Sequence, residues 1–247
     1  MPLLVDSHVH VYPSYRTDVL FSSFRAAVRR AGASEGAMCL VEREGADVFG
    51  AWSRGENLPA DVRVARREDA ALLLESPGGP PVAVLAGRQV ACAERVEILA
   101  LGTRETFRDG TPAAEAAAAA RDAGALPVLA WGVGKWLFSR AKVVEALLRR
   151  FPADELFLGD TSMRPVFWPV PAPMAQAPSL GRRVLHGSDP LPKAGEEKRA
   201  GEWADLSEDP LPGDRPLASS LLGILRESPL SPAGRRAGLF EFVRRMR

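Results

Sequence analysis

Leu3-Leu4-Val5-Asp6-Ser7-His8-Val9-His10 decides how this chain is read. The run opens as a buried apolar strand and turns polar along one face, because residues two apart on a strand project to the same side. Asp6, His8 and His10 therefore share a face. Two imidazoles and a carboxylate at the end of an apolar strand are costly to desolvate unless something satisfies them, and a divalent metal ion does so most economically. The alternative is a pair of ordinary polar rings hydrogen-bonded to backbone at a strand end. The chain has only three histidines, and this strand holds two of them.

Outward from this strand, Leu20, Phe21, Phe24, Ala27, Val28 and Ala31 recur at helical spacing with arginines opposite, and Gly32 stops the pattern. Gly36 to Val41 then reads as a buried strand, so strand, helix and strand make a parallel βαβ unit. The middle is less regular. Val62 to Ala65, Val82 to Ala86 and Val96 to Leu101 read as short strands, Asp69 to Leu74 as a weak helix, and Gly87-Arg88-Gln89 as a connection. Regularity returns with a helix from Pro112 to Ala123 capped by Thr111, a strand from Leu126 to Trp131, a helix from Ser139 to Phe151 and a strand from Glu155 to Gly159. Arg183 to Gly187 is the last clear strand. A helix spans Leu217 to Leu225, and another begins at Ser231-Pro232. Segments 164–182 and 190–216 are rich in proline and read as long loops.

With 247 residues, 46% of them apolar, the chain builds a substantial core and suits a single domain, 1–247. Thirty-two basic and thirty-one acidic side chains nearly cancel, so no global field favours nucleic acid or an anionic membrane, and neither is expected as a partner. No apolar run is long enough to span a bilayer, and Asp6 and His8 interrupt the N-terminus before a signal peptide can develop. Cys39 and Cys92 read as small buried hydrophobes in a reducing compartment, though one disulfide stays open, and the expectation is a cytoplasmic protein.

The C-terminal ends of the strands bring His8, His10, Glu42, Trp131, Asp160 and Asp189 to one side, which is where parallel α/β proteins build their sites. Gly132-Val133-Gly134-Lys135 lacks the spacing of a phosphate loop, and there is no Gly-x-Ser-x-Gly elbow.

Asp6-Ser7-His8-Val9-His10 at the first strand, with His186-Gly187-Ser188-Asp189 at the last, resembles the metal-dependent hydrolases of the amidohydrolase superfamily and the related polymerase and histidinol phosphatase (PHP) domains. The resemblance implies a distorted TIM-like (β/α)7–8 barrel whose active-face loops are 164–182 and 190–216. It makes His8 and His10 ligands of one divalent metal ion, zinc, manganese or iron. Asp189 becomes a further ligand and the group that takes a proton from a metal-activated water. The chain departs from the family where Trp131 replaces a middle-strand histidine, where Gly87-Arg88-Gln89 replaces a Gly-x-Glu, and at Leu191, so the implied ligand set is reduced. Glu97, Asp160 and, less so, Glu94 are carboxylates that could complete it. His186 falls on the strand face opposite Asp189. Gln89, Trp131 and Lys135 are candidates to line a substrate pocket, Lys135 by pairing with an anionic group, with core packing as the other reading of Trp131. The expected activity is hydrolysis of a small-molecule phosphoester, amide or ester. The alternative is a catalytically degenerate barrel that binds a ligand or protein; whether the chain forms a homo-oligomer is left open.

Overall fold

The computed structural model describes residues 2–211 and 213–246; Met1, Pro212 and Arg247 lie outside them, Pro212 within the stretch expected as the loop 190–216. In chain order the elements are β1 (Leu3–Val9), α1 (Thr17–Arg30), β2 (Glu35–Leu40), α2 (Val48–Ser53), β3 (Arg63–Arg67), β4 (Ala71–Glu75), β5 (Val82–Leu85), β6 (Gly87–Ala91), β7 (Glu97–Leu101) and α3 (Ala113–Asp122). The second half adds β8 (Leu126–Ala130), α4 (Ser139–Arg150), β9 (Phe157–Thr161), α5 (Ala172–Gln176), β10 (Val184–Gly187), β11 (Trp203–Ser207), α6 (Leu217–Glu227), β12 (Leu230–Gly234) and α7 (Leu239–Met246).

These strands form two mixed sheets. One has seven strands in the order β12-β11-β1-β2-β5-β4-β3, the other five in the order β10-β9-β8-β7-β6. The sheets face each other across a common core: Leu3, Val5, Ala37 and Leu85 of the first meet Leu99, Leu126, Val128 and Leu185 of the second, and Leu221 and Leu225 of α6 join them. Alternation along the strands leaves a second apolar face on each sheet. Leu20, Phe24 and Val28 of α1 cover Met38 and Leu72 on one side. Ala113 of α3 and Val144 and Leu147 of α4 cover Ile98, Leu129 and Leu158 on the other.

The expected TIM-like barrel is therefore corrected: among the described residues there is no closed barrel. The cause is visible at β1. Its first half pairs with β2 on one edge and, antiparallel, with β11 on the other, at Leu3–Ser207, Leu4–Leu206 and Val5–Asp205. With both edges taken, β10 cannot continue the ladder and meets β1 only at its far end, where Asp189 N donates to His8 O at 2.9 Å. On the opposite seam a single parallel bridge, Glu42–Arg88, joins the end of β2 to β6.

Other local expectations also change. Asp69 to Leu74 is largely strand, because Ala71–Glu75 pairs with both β3 and β5. Gly87-Arg88-Gln89 opens strand β6 rather than connecting strands, and β6 and β7 form an antiparallel hairpin. The stretch 190–216 contains β11, and Ser231-Pro232 lies in β12, paired with β11, so the last helix starts only at Leu239. Thr111 does not cap α3: Glu94 Oε2 accepts Ala113 N at 2.9 Å, while Thr111 Oγ1 donates to Arg108 O. Among the described residues, no helix is long and apolar enough to cross a membrane. Cys39 and Cys92 are both buried and free.

Candidate metal centre

His8 and His10 leave the end of β1 together. The register of β1 against β2 shifts between Asp6 and Val9, so the simple alternation that put Asp6 beside them is broken. Asp6 instead gathers backbone donors: Oδ1 accepts Ser188 N at 2.9 Å and His8 N at 3.2 Å, and Oδ2 accepts Gly201 N at 2.7 Å. Burial pushes its carboxyl up to about 7 against these hydrogen bonds. Asp6 therefore ties the ends of β1 and β10 and the approach to β11, and is not a donor to the cluster.

Asp189 reaches the histidines because Gly187 packs directly on His8 and the chain then turns through Asp189 at φ 48, a left-handed conformation that aspartate tolerates better than most residues. His8, His10 and Asp189 each offer one ligand atom within 4.8 Å of the others, and among the described residues they are the one such group of three. The Nε2 atoms of the two histidines are 3.2 Å apart, and Asp189 Oδ1 lies 3.5 Å from His8 Nε2 and 3.8 Å from His10 Nε2. Burial holds both imidazoles neutral near physiological pH, lowering His8 to about 4 and His10 to about 3, and it raises the Asp189 carboxyl.

These donors fit a divalent ion. Two Zn–N bonds of about 2.0–2.1 Å at a tetrahedral angle place the nitrogens about 3.3 Å apart, close to the observed 3.2 Å. Three protein ligands with an open position is the donor count of catalytic zinc sites. The buried Nδ1 of His8 has no hydrogen-bond partner and its Nε2 faces another ring nitrogen, so the polar atoms of this ring are poorly satisfied by protein alone.

Gln89 and Glu97 border the cluster. Gln89 Oε1 is 3.1 Å from His10 Nε2, and Gln89 Nε2 donates to Glu97 Oε1 at 3.3 Å. Glu97 also pairs with Lys135. Glu97 stands at this end of the molecule because β7 runs antiparallel to β8, pairing Glu97 with Ala130, so the start of one strand meets the end of the next. A cleft of 470 Å³ lined by Glu42, Arg88, Gln89, Phe107 and Arg108 opens beside Gln89.

The remaining candidates are placed elsewhere. Asp160 is 2% exposed and engaged by Arg164, whose Nε and Nη2 donate to its two oxygens at 2.7 and 2.6 Å. Glu42 accepts from Phe49 N and Arg88, and Glu94 caps α3. Trp131 is buried in the core beneath α3 and α4, with its ring 6.2 Å from that of Trp168. His186 points away from the cluster and pairs through Nδ1 with Asp205 Oδ1 at 2.6 Å. Residue type and spacing gave no sign of Arg245, which braces the Asp189 turn: it binds Glu196 and donates to Asp189 O at 3.4 Å.

No family model and no curated protein matches the chain. Its fold is similar to that of PsfC from Pseudomonas syringae PB-5123, with a TM-score of 0.56 and 17% identity over 94% of this chain and 91% of that one. It is also similar to Endonuclease Q in complex with a 27-mer duplex substrate with an abasic lesion at the active site, with a TM-score of 0.52 and 16% identity over 91% of this chain. The chain spans 57% of that endonuclease's length. At these identities the likeness is one of fold, and the amidohydrolase side of the resemblance receives no support from it. The expectation that nucleic acid is excluded is corrected, because a protein of similar fold is seen bound to a DNA duplex. Net charge near zero does not describe the local field of a cleft, which is what a phosphodiester meets.

Proposed function

We propose that the chain is a metal-dependent hydrolase of phosphoesters, with nucleic-acid phosphodiesters the first class to test, and that His8, His10 and Asp189 hold the ion. The observation that carries this reading is the convergence of three donor atoms of the right chemistry within 4.8 Å at the end of β1. A divalent ion bound there supplies Lewis acidity and lowers the pKa of water enough to provide hydroxide near neutrality. Asp189, with its side chain 21% exposed, is the member of the cluster that reaches solvent and serves as ligand and proton acceptor. Gln89 Oε1 lies on the metal-facing side of His10, 3.1 Å from the same Nε2, and Glu97 holds the Gln89 amide in place, so both border the position of the ion. The similarity of fold to an endonuclease bound to DNA supports the choice of phosphoester.

The test is elemental analysis of protein purified without a metal column, set beside the His8→Ala/His10→Ala variant, followed by turnover of bis(p-nitrophenyl) phosphate and of duplexes with and without an abasic site. Near-stoichiometric zinc, manganese or iron that disappears in the variant, with metal-dependent turnover lost in Asp189→Asn, is the expected result. Equal metal content in both proteins, or no ion retained after incubation with all three metals, overturns the assignment.

A further inference from the structure

Gly132-Val133-Gly134-Lys135 is not a phosphate loop, yet its conformation is specific. Lys135 N donates to Gly132 O at 2.9 Å, Gly134 turns at φ 74, and Trp136 Nε1 donates to Ala130 O at 3.0 Å, pinning the loop to the end of β8. Within this turn the stem of Lys135 folds back over Gly132. A Cβ built on Gly132 would lie 2.7 Å from Lys135 Cδ and 3.0 Å from Cε, so a side chain there would displace the lysine. So folded, the ammonium reaches Glu97, which is linked through Gln89 to His10.

Glu97 and the amide oxygen of Gln89 border the His8, His10 and Asp189 group without joining it, and they are oxygens of the kind a second divalent ion takes. An ammonium placed beside them opposes a second ion by like charge, and only one of its three N–H bonds is needed for Glu97. Resting on the reading of His8, His10 and Asp189 as metal ligands, we propose that Lys135 is the resident second cation of this site. Held by Glu97 and the Gly132 turn, it limits the site to a single divalent ion and supplies the second positive charge that an anionic substrate meets. Lys135 is thus both a selectivity element for metal stoichiometry and a contact for an anionic oxygen.

Manganese titration, with free ion followed by electron paramagnetic resonance and bound ion by elemental analysis after desalting, tests this without turnover. Lys135→Met keeps the apolar stem over Gly132 and removes the charge; circular dichroism checks its fold. Wild type is expected to bind one ion per chain, Lys135→Met two, Lys135→Arg one, and Lys135→Met/Glu97→Gln one. Two ions in wild type, or one in Lys135→Met with Glu97 intact, overturns the inference while leaving the first ion in place. No ion in wild type removes the metal reading itself and this inference with it.

Discussion

Gly187 abuts His8 so closely that a Cβ on it would lie 2.3 Å from His8 Cβ and 2.6 Å from His8 N. The contact is with backbone as well as side chain, so it cannot be relieved by a rotamer change. Gly187→Ala is expected to cost about 1–3 kcal/mol of stability by overpacking, and to weaken metal binding at least about tenfold by moving His8 off its partners. Denaturant unfolding and metal titration on the same preparations check both effects. A variant with wild-type affinity would mean that His8 is not positioned by this packing.

Arg164 and Asp160 form a buried bidentate pair, with Arg164 5% and Asp160 2% exposed. Arg164→Met leaves a buried carboxylate without its cation and is expected to cost about 3–5 kcal/mol, with metal stoichiometry unchanged in whatever folds. Loss of the ion in a folded Arg164→Met protein would bring Asp160 back as part of the centre.

Helix α7 is fastened by Glu241, which pairs with Arg199 and with Arg235 Nη1 at 2.7 Å. Desolvation works against the charged carboxylate, but the hydrogen bonds and charges of the two arginines outweigh it and bring Glu241 from 4.5 down to about 2. A depressed carboxyl contributes stability above its unfolded pKa and loses it as pH falls toward the folded value. Amide protection in α7 is therefore expected to drop on the order of tenfold between about pH 5 and about pH 3. Glu241→Gln should flatten that dependence; an unchanged profile in this variant would place the acid-sensitive group elsewhere.

The parts of the fold that were legible are those where hydrophobic period and element type agree. β1, α1, β2, α3, β8, α4, β10 and α6 all lie close to where periodicity and stop signals put them. That His8, His10 and Asp189 come together at one end of the fold was legible, the histidines from residue type and their spacing on β1 and Asp189 from the family resemblance at the last strand. β4 was not, because Ala71-Leu72-Leu73-Leu74-Glu75 is built from helix formers and becomes strand only through pairing on both edges. β11 hides in a charged, proline-rich stretch, and it buries Asp205 against His186 where alternation would call for an apolar residue. Missing it also hid why the sheets stay separate. Glu97 was found as a carboxylate, but its place beside Gln89 depends on the antiparallel course of β7, which no local pattern announces.

The pairing of β1 with β11 joins segments roughly two hundred residues apart, and such long loops close slowly because their entropy must be spent before the contacts repay it. During synthesis the first strand emerges with one edge it can complete early, against β2, and one that waits for nearly the whole chain. His8 and His10 are made first and Asp189 late, so an ion can be gripped fully only after the last third of the polypeptide has come back to the first strand. Metal retention would thus report that the turn after β10 has docked on β1, and a truncation that removes Asp189 and β11 would release the ion as well as expose an unpaired strand edge prone to association.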